Sequence, residues 1–159
     1  RTSALTGNVD FAPTILTLAG LRVPHNMDGK DLMSVYDYPK SSLHHSLPLI
    51  NVWGKAPTHA LGVVTEEMKY LFWGYAAKGF KPTNELYDLK KDPLELTNQF
   101  SSSEYTKARK KMQKLYDQHL TDWKEHAVAY NNYQEFGILF DRKLKWEEKV
   151  KRVKSHSSN

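Results

Sequence analysis

The side chains able to do chemistry are few, and three of them share one short stretch. Trp53-Gly54-Lys55-Ala56-Pro57-Thr58-His59 brings together an indole, an ammonium and an imidazole. Lys55 or His59 can hold an anionic or hydroxyl-bearing group, and Trp53 offers a flat face for stacking. These three are the candidate substrate-binding residues. The competing reading is a solvent-exposed or core-satisfied histidine, because a lone imidazole has many structural uses. His44-His45 lies just upstream. Neighbouring residues point to opposite faces of a strand, so these two make a poor chelating pair, and no Asp or Glu follows them at metal-ligand spacing. The chain of 159 residues has no cysteine, which removes disulfides, thiolate metal sites and a cysteine nucleophile together. No catalytic and no metal-binding residue is assigned.

The elements that must position this stretch are legible as an α+β pattern. Leu47 to Trp53 reads as a strand that Pro48 places at an edge or starts late. Ala60 to Thr65 is a second strand, with Leu61 and Val63 on one face. After the Glu66-Glu67 turn, Met68 to Tyr75 is a third, and Glu85 to Leu89 a fourth. Short connections without crossover helices predict a four-stranded antiparallel sheet. Asp92-Pro93 is a turn signal, and Asn98 is suited to close the loop through its side chain.

Ser101 and Glu104 form a capping-box pattern. Tyr105, Ala108, Met112, Leu115, Tyr116, His119, Leu120 and Trp123 then recur at helical spacing, so a helix of five or six turns lies across the sheet. Upstream, Asp10 is placed to cap a short helix whose apolar face is Ala12, Ile15, Leu16 and Ala19. Pro13 falls in its first turn and Gly20 at its end. A further short helix is expected within Lys30 to Tyr36. Residues 141–154 carry seven Lys or Arg against three Asp or Glu, the pattern of a solvated face or frayed tail, and 155–159 are expected to be disordered.

Composition sets the outer limits. An apolar share of 40% with 26% charged residues is that of a folded protein, and 12% aromatics argue against disorder. No apolar run is long enough to span a membrane. The net charge of +5 permits a polyanion partner, but no nucleic-acid-binding motif is present, so nucleic acid is not an expected partner.

Three ordered segments carry a resemblance. "NVDFAPTILTLAGL" with "MDGKDL", then "HALGVVTEEMKYLFW", then "ELYDLKKDPLELTN" resemble the closing part of the sulfatase family, whose fold is alkaline phosphatase-like. The first is similar to the family's Asp-hydrophobic-Ala-Pro-Thr segment and falls on Asp10, Pro13, Thr14, Ala19, Gly20, Asp28 and Gly29. The second carries Lys69-Tyr70, and the third spans Glu85 to Asn98.

The resemblance implies that residues 1–37 end a large α/β domain, that 43–127 form a C-terminal antiparallel-sheet subdomain with its packed helix, and that 128–159 are a basic helical tail. It also implies that the chain is an internal or C-terminal piece of a sulfuric ester hydrolase. The nucleophile of such an enzyme is a formylglycine made within a Cys/Ser-x-Pro-x-Arg motif, and calcium stabilises the sulfate oxygens. That motif is absent here. Calcium and formylglycine are therefore expected outside this chain, the upstream catalytic domain is the expected partner, and the piece alone is expected to be inactive.

The implied substrate is a sulfate ester, with a sulfated carbohydrate suggested by the Trp53 loop reaching the cleft. Family members are periplasmic, secreted or lysosomal, and the sequence does not choose among these. The alternative is a non-enzymatic α+β module that binds polyanions through its basic helices.

Overall fold

The computed structural model describes residues 2–156, apart from the side chains at 131, 155 and 156. The chain divides into two compact units, residues 1–47 and 48–159.

The first unit is built around a polar lock. A 3-10 turn at Asn8–Asp10 leads into α1, Phe11–Leu18. Asp10 stands at the helix entrance, but its side chain makes no cap bond to α1. Asp10 Oδ2 accepts the Gly7 amide (2.8 Å), while Oδ1 accepts the Lys30 amide (2.8 Å) and pairs with His44 Nε2 (2.9 Å). The expected cap is thus a hub joining three segments, because the fully buried carboxylate needs every acceptor site filled. Thr14 Oγ1 extends the lock, donating to Asp10 O and accepting the Leu32 amide at 2.8 Å.

Helix α1 ends as its glycine requires. Gly20 has φ +69, Leu21 N donates to Leu16 O, and Gly20 N to Thr17 O, the paired bonds of a Schellman motif. The expected apolar face is not covered within this unit: Ile15 is 64% exposed, and Val9, Phe11, Leu18 and Leu21 are also exposed. Only Pro13 of α1 is buried. The second short helix, α2, lies at Met33–Asp37, a few residues later than expected.

The second unit is the α+β body. Strands β1 (Leu47–Asn51), β2 (Ala60–Val64), β3 (Met68–Trp73) and β4 (Thr83–Asp88) form one sheet in sequential order. Val63 pairs with Tyr70 and Tyr70 with Leu86 in antiparallel register. That register puts Leu61, Val63, Tyr70, Phe72 and Leu86 on one face, all buried. Helix α3, Thr106–His126, lays Met112, Tyr116 and Leu120 onto them at i, i+4, i+8 spacing. Tyr116 donates to Phe140 O at 2.6 Å, and burial pushes its phenol strongly upward. Tyr70 donates to Asn84 Oδ1, and burial raises its hydroxyl to about 12.

Two local expectations fail for physical reasons. The capping box at Ser101 and Glu104 does not form, and α3 starts at Thr106 without a side-chain cap. The segment before it is tied to β4 instead, by Gln99 N to Leu86 O (2.7 Å) and Tyr105 Oη to Asp88 Oδ2 (3.0 Å), and Glu104 pairs with Lys91.

The 141–154 stretch is not simply a solvated face. Helix α4 (Tyr133–Leu139) packs on α3, and α5 (Trp146–His156) packs on α4. Arg142 grips Asp117 with two bonds of 2.8 and 2.7 Å. Lys149, at the helical position one turn from Trp146, is 1% exposed. Ser155 and His156 close α5, whereas the expected disorder at 157–159 lies outside the described residues.

Candidate functional site

The Trp53 to His59 stretch is the loop between β1 and β2. It is drawn tight by its own bonds. Asn51 Nδ2 donates to Thr58 O at 2.9 Å, and Thr58 Oγ1 donates to Lys55 O at 2.8 Å. Ala56–Thr58 forms a 3-10 turn with Pro57 in its first positions. Trp53 is 71% exposed, and Lys55 is exposed as well.

His59 is half-buried and held from two sides. Its Nε2 lies 3.2 Å from Gly54 O, and its ring meets the Phe136 ring edge-on at 5.0 Å. The loop therefore displays an indole and an ammonium outward, with an imidazole that clasps the loop onto α4. A narrow crevice of about 20 Å³ opens beside it, lined by His59, Gly74, Tyr75, Phe140 and Trp146 among others. That is room for about one water. Any larger ligand would meet the outer surface of the loop, where Trp53 and Lys55 are.

His44 is buried against Asp10 in the first unit, and His45 is exposed. Burial pushes the Asp10 carboxyl up, but the Lys30 and Gly7 amides and the His44 ring outweigh it and hold the group below its ordinary range. Among the described residues no three His, Asp or Glu side chains gather into a metal-binding group. His44 is thus part of the lock around Asp10.

Sequence reasoning missed Lys149. Its ammonium donates to Leu139 O at 2.8 Å and lies 4.7 Å from the centre of the Phe72 ring. Burial lowers it to about 8. The available signal was periodicity: Trp146, Lys149, Val150 and Val153 fall on one helical face, so Lys149 sits where an apolar residue is expected.

The "ELYDLKKDPLELTN" stretch proves to be a set of braces. Asp88 Oδ1 accepts the Lys90 and Lys91 amides, both at 3.1 Å, and Asp92 Oδ2 accepts the Thr97 amide at 2.8 Å. Glu95, at φ +57, is held by Lys69 at 2.5 Å. Asn98 closes the loop as expected: Oδ1 accepts the Leu86 and Phe100 amides, and Nδ2 donates to Asn84 O, each at 3.0 Å.

A sequential antiparallel sheet backed by one long helix matches the C-terminal region of sulfatases. The family model described as N-sulphoglucosamine sulphohydrolase, C-terminal, matches residues 1–122, and the chain belongs to that family.

Its relatives agree. It is 29% identical over 136 residues to the N-acetylglucosamine-6-O-sulfatase of Bacteroides thetaiotaomicron, covering 78% of this chain and 23% of that protein. It is 33% identical over 105 residues to arylsulfatase K of Xenopus laevis, covering 60% of this chain and 19% of that protein. A solved structure in complex with its substrate, D-glucosamine-2-N,6-O-disulfate, superposes with a TM-score of 0.67 at 26% identity, over 82% of this chain and 27% of that one. The chain spans about a quarter of the length of the relatives it matches.

Proposed function

We propose that this chain completes a sulfatase that hydrolyses a sulfate ester of a carbohydrate, and that its β1–β2 loop lines the substrate cleft. The observation that carries the reading is the likeness to the structure solved in complex with its substrate, D-glucosamine-2-N,6-O-disulfate. In that cleft Trp53 stacks on a sugar ring and the Lys55 ammonium meets a sulfate or hydroxyl oxygen. His59 holds the loop in shape, or reaches the substrate through its free edge.

The hydrolytic machinery lies upstream in this reading. The chain has no Cys and no Ser-x-Pro-x-Arg from which a formylglycine is made. Its described residues offer no three-carboxylate or imidazole group for calcium. The sequence lacks the first group's motif and the described residues do not fit the second, so in this reading both belong to the preceding α/β domain, of which residues 1–37 are the close. The exposed Val9, Phe11, Ile15, Leu18 and Leu21 support this, because α1 needs an apolar layer over it. Family membership favours this reading over a free-standing polyanion-binding module.

The test is kinetic. In the full-length protein, Trp53→Ala, Lys55→Gln and His59→Ala should each raise KM or lower turnover of a sulfated glucosamine, and unchanged constants in all three variants sink the cleft role. The isolated chain should not hydrolyse sulfate esters, and calcium-dependent turnover by it would overturn the placement of the machinery.

A further inference from the structure

The outer face of α3 carries a charge pattern that packing does not explain. From Thr106 to Tyr116 the helix holds five basic residues and no acidic one. Arg109 turns inward to Phe100, donating to its carbonyl and lying 5.4 Å from its ring centre. The other four, Lys107, Lys110, Lys111 and Lys114, are all exposed. Their spacing of i, i+3, i+4, i+7 puts them on one face, opposite the Met112 and Tyr116 stripe. They span about 10 Å along the axis.

Nothing in the helix favours this arrangement. Like charges three and four residues apart repel. The first turn has no acidic residue, so Lys107 faces the positive end of the helix dipole without compensation. None of the four lysines makes a salt bridge among the described residues.

The neighbouring carboxylates are committed elsewhere. Glu67 pairs with Lys90 at 2.5 Å, and that ion pair and the charge of Lys111 lower its carboxyl. Glu104 pairs with Lys91 at 3.2 Å. Further along, the same side of the helix turns acidic at Asp122 and Glu125. The basic face is therefore short and bounded, about two turns long.

We infer that this face binds a sulfated glycan chain, with the four ammonium groups set against successive sulfates. The choice of glycan over nucleic acid rests on the proposed carbohydrate sulfatase activity and on the face itself. Lysines act as point charges toward separate sulfates, and no aromatic residue stands among them to stack a base. Such a contact holds a polymeric substrate by its length, as a single sulfated sugar cannot.

The experiment measures binding of a heparin dodecasaccharide to the full-length protein across a range of NaCl concentrations. The variants are K107Q/K110Q/K111Q/K114Q, the single reversal Lys110→Glu, and Lys145→Gln/Lys151→Gln at the entrance to α5 and within it. Glutamine keeps the helix, and circular dichroism verifies it. Releasing three or four paired ions predicts that the quadruple variant loses about 2–3 from the slope of log K against log salt and about 10- to 100-fold in affinity at 0.1 M salt. The Lys110→Glu variant should show a smaller loss in the same direction, and the α5 variant should bind as the parent does.

The inference is overturned if the parent does not bind, if the quadruple variant binds equally well, or if a desulfated dodecasaccharide or a single-stranded DNA of equal charge binds as tightly. Turnover of a small sulfated glucosamine is measured in parallel. Its absence in the parent refutes the proposed activity, while the binding result still decides the α3 face.

Discussion

Replacing Lys149 by methionine separates burial of a charge from burial of a side chain. Lys149 is 1% exposed, and its ammonium donates to Leu139 O. Burial lowers it from 10.5 to about 8. The folded state therefore binds this proton less tightly than the unfolded state. Between pH 8 and 10.5 the unfolded chain carries more protons, so stability from this group rises with pH across that window and is lowest below pH 8.

A shift of this size corresponds to about 3 kcal/mol in full. Integrating from pH 7.5 to 10 recovers about 2 kcal/mol of it. Lys149→Met keeps the stem and removes the proton. Urea unfolding of parent and variant, followed by tryptophan fluorescence at pH 7.5 and 10, isolates the group, because all other titrations are common to both. The parent should gain about 2 kcal/mol on the variant over that interval. Curves that stay parallel to within about 0.5 kcal/mol would refute the burial argument.

Two further outcomes follow from the braces. A Cβ on Gly29 would lie 1.9 Å from Val9 O, which is backbone and cannot move aside cheaply, so Gly29→Ala should loosen the first unit by more than about 2 kcal/mol, read as faster amide exchange at Lys30 and Leu32. Asn98→Ala removes the acceptor for the Leu86 and Phe100 amides and the donor to Asn84 O, and should lower the stability of the second unit by about 2 kcal/mol in urea unfolding, whereas an unchanged midpoint would show that water replaces the clamp.

The family signature has a physical meaning that explains why it can be read without chemistry. Asp10, Thr14 and Gly29 lock the turn around α1, and Asp88, Asp92 and Asn98 brace the end of β4. Each is a residue type that few others can replace at a backbone it must touch. Such residues leave a readable trace because the backbone around them depends on their type.

The sequence by itself determined the four strands, their order and the long helix, because period-two and period-3.6 patterns act over neighbours. It also determined the Gly20 helix end, which is made of local bonds, and marked Asn98 as a loop-closing residue, although the clamp's bonds to Leu86 and Asn84 span 12 and 14 residues. Tertiary structure alone decided what Asp10 does, since its partners Lys30 and His44 lie 20 and 34 residues away. It decided the start of α3 as well, where ties to β4 displaced a sound capping box. And it turned one lysine of a basic tail into a core residue, because a face shared with Trp146 and Val150 is buried whatever charge it carries, once α5 packs on α4.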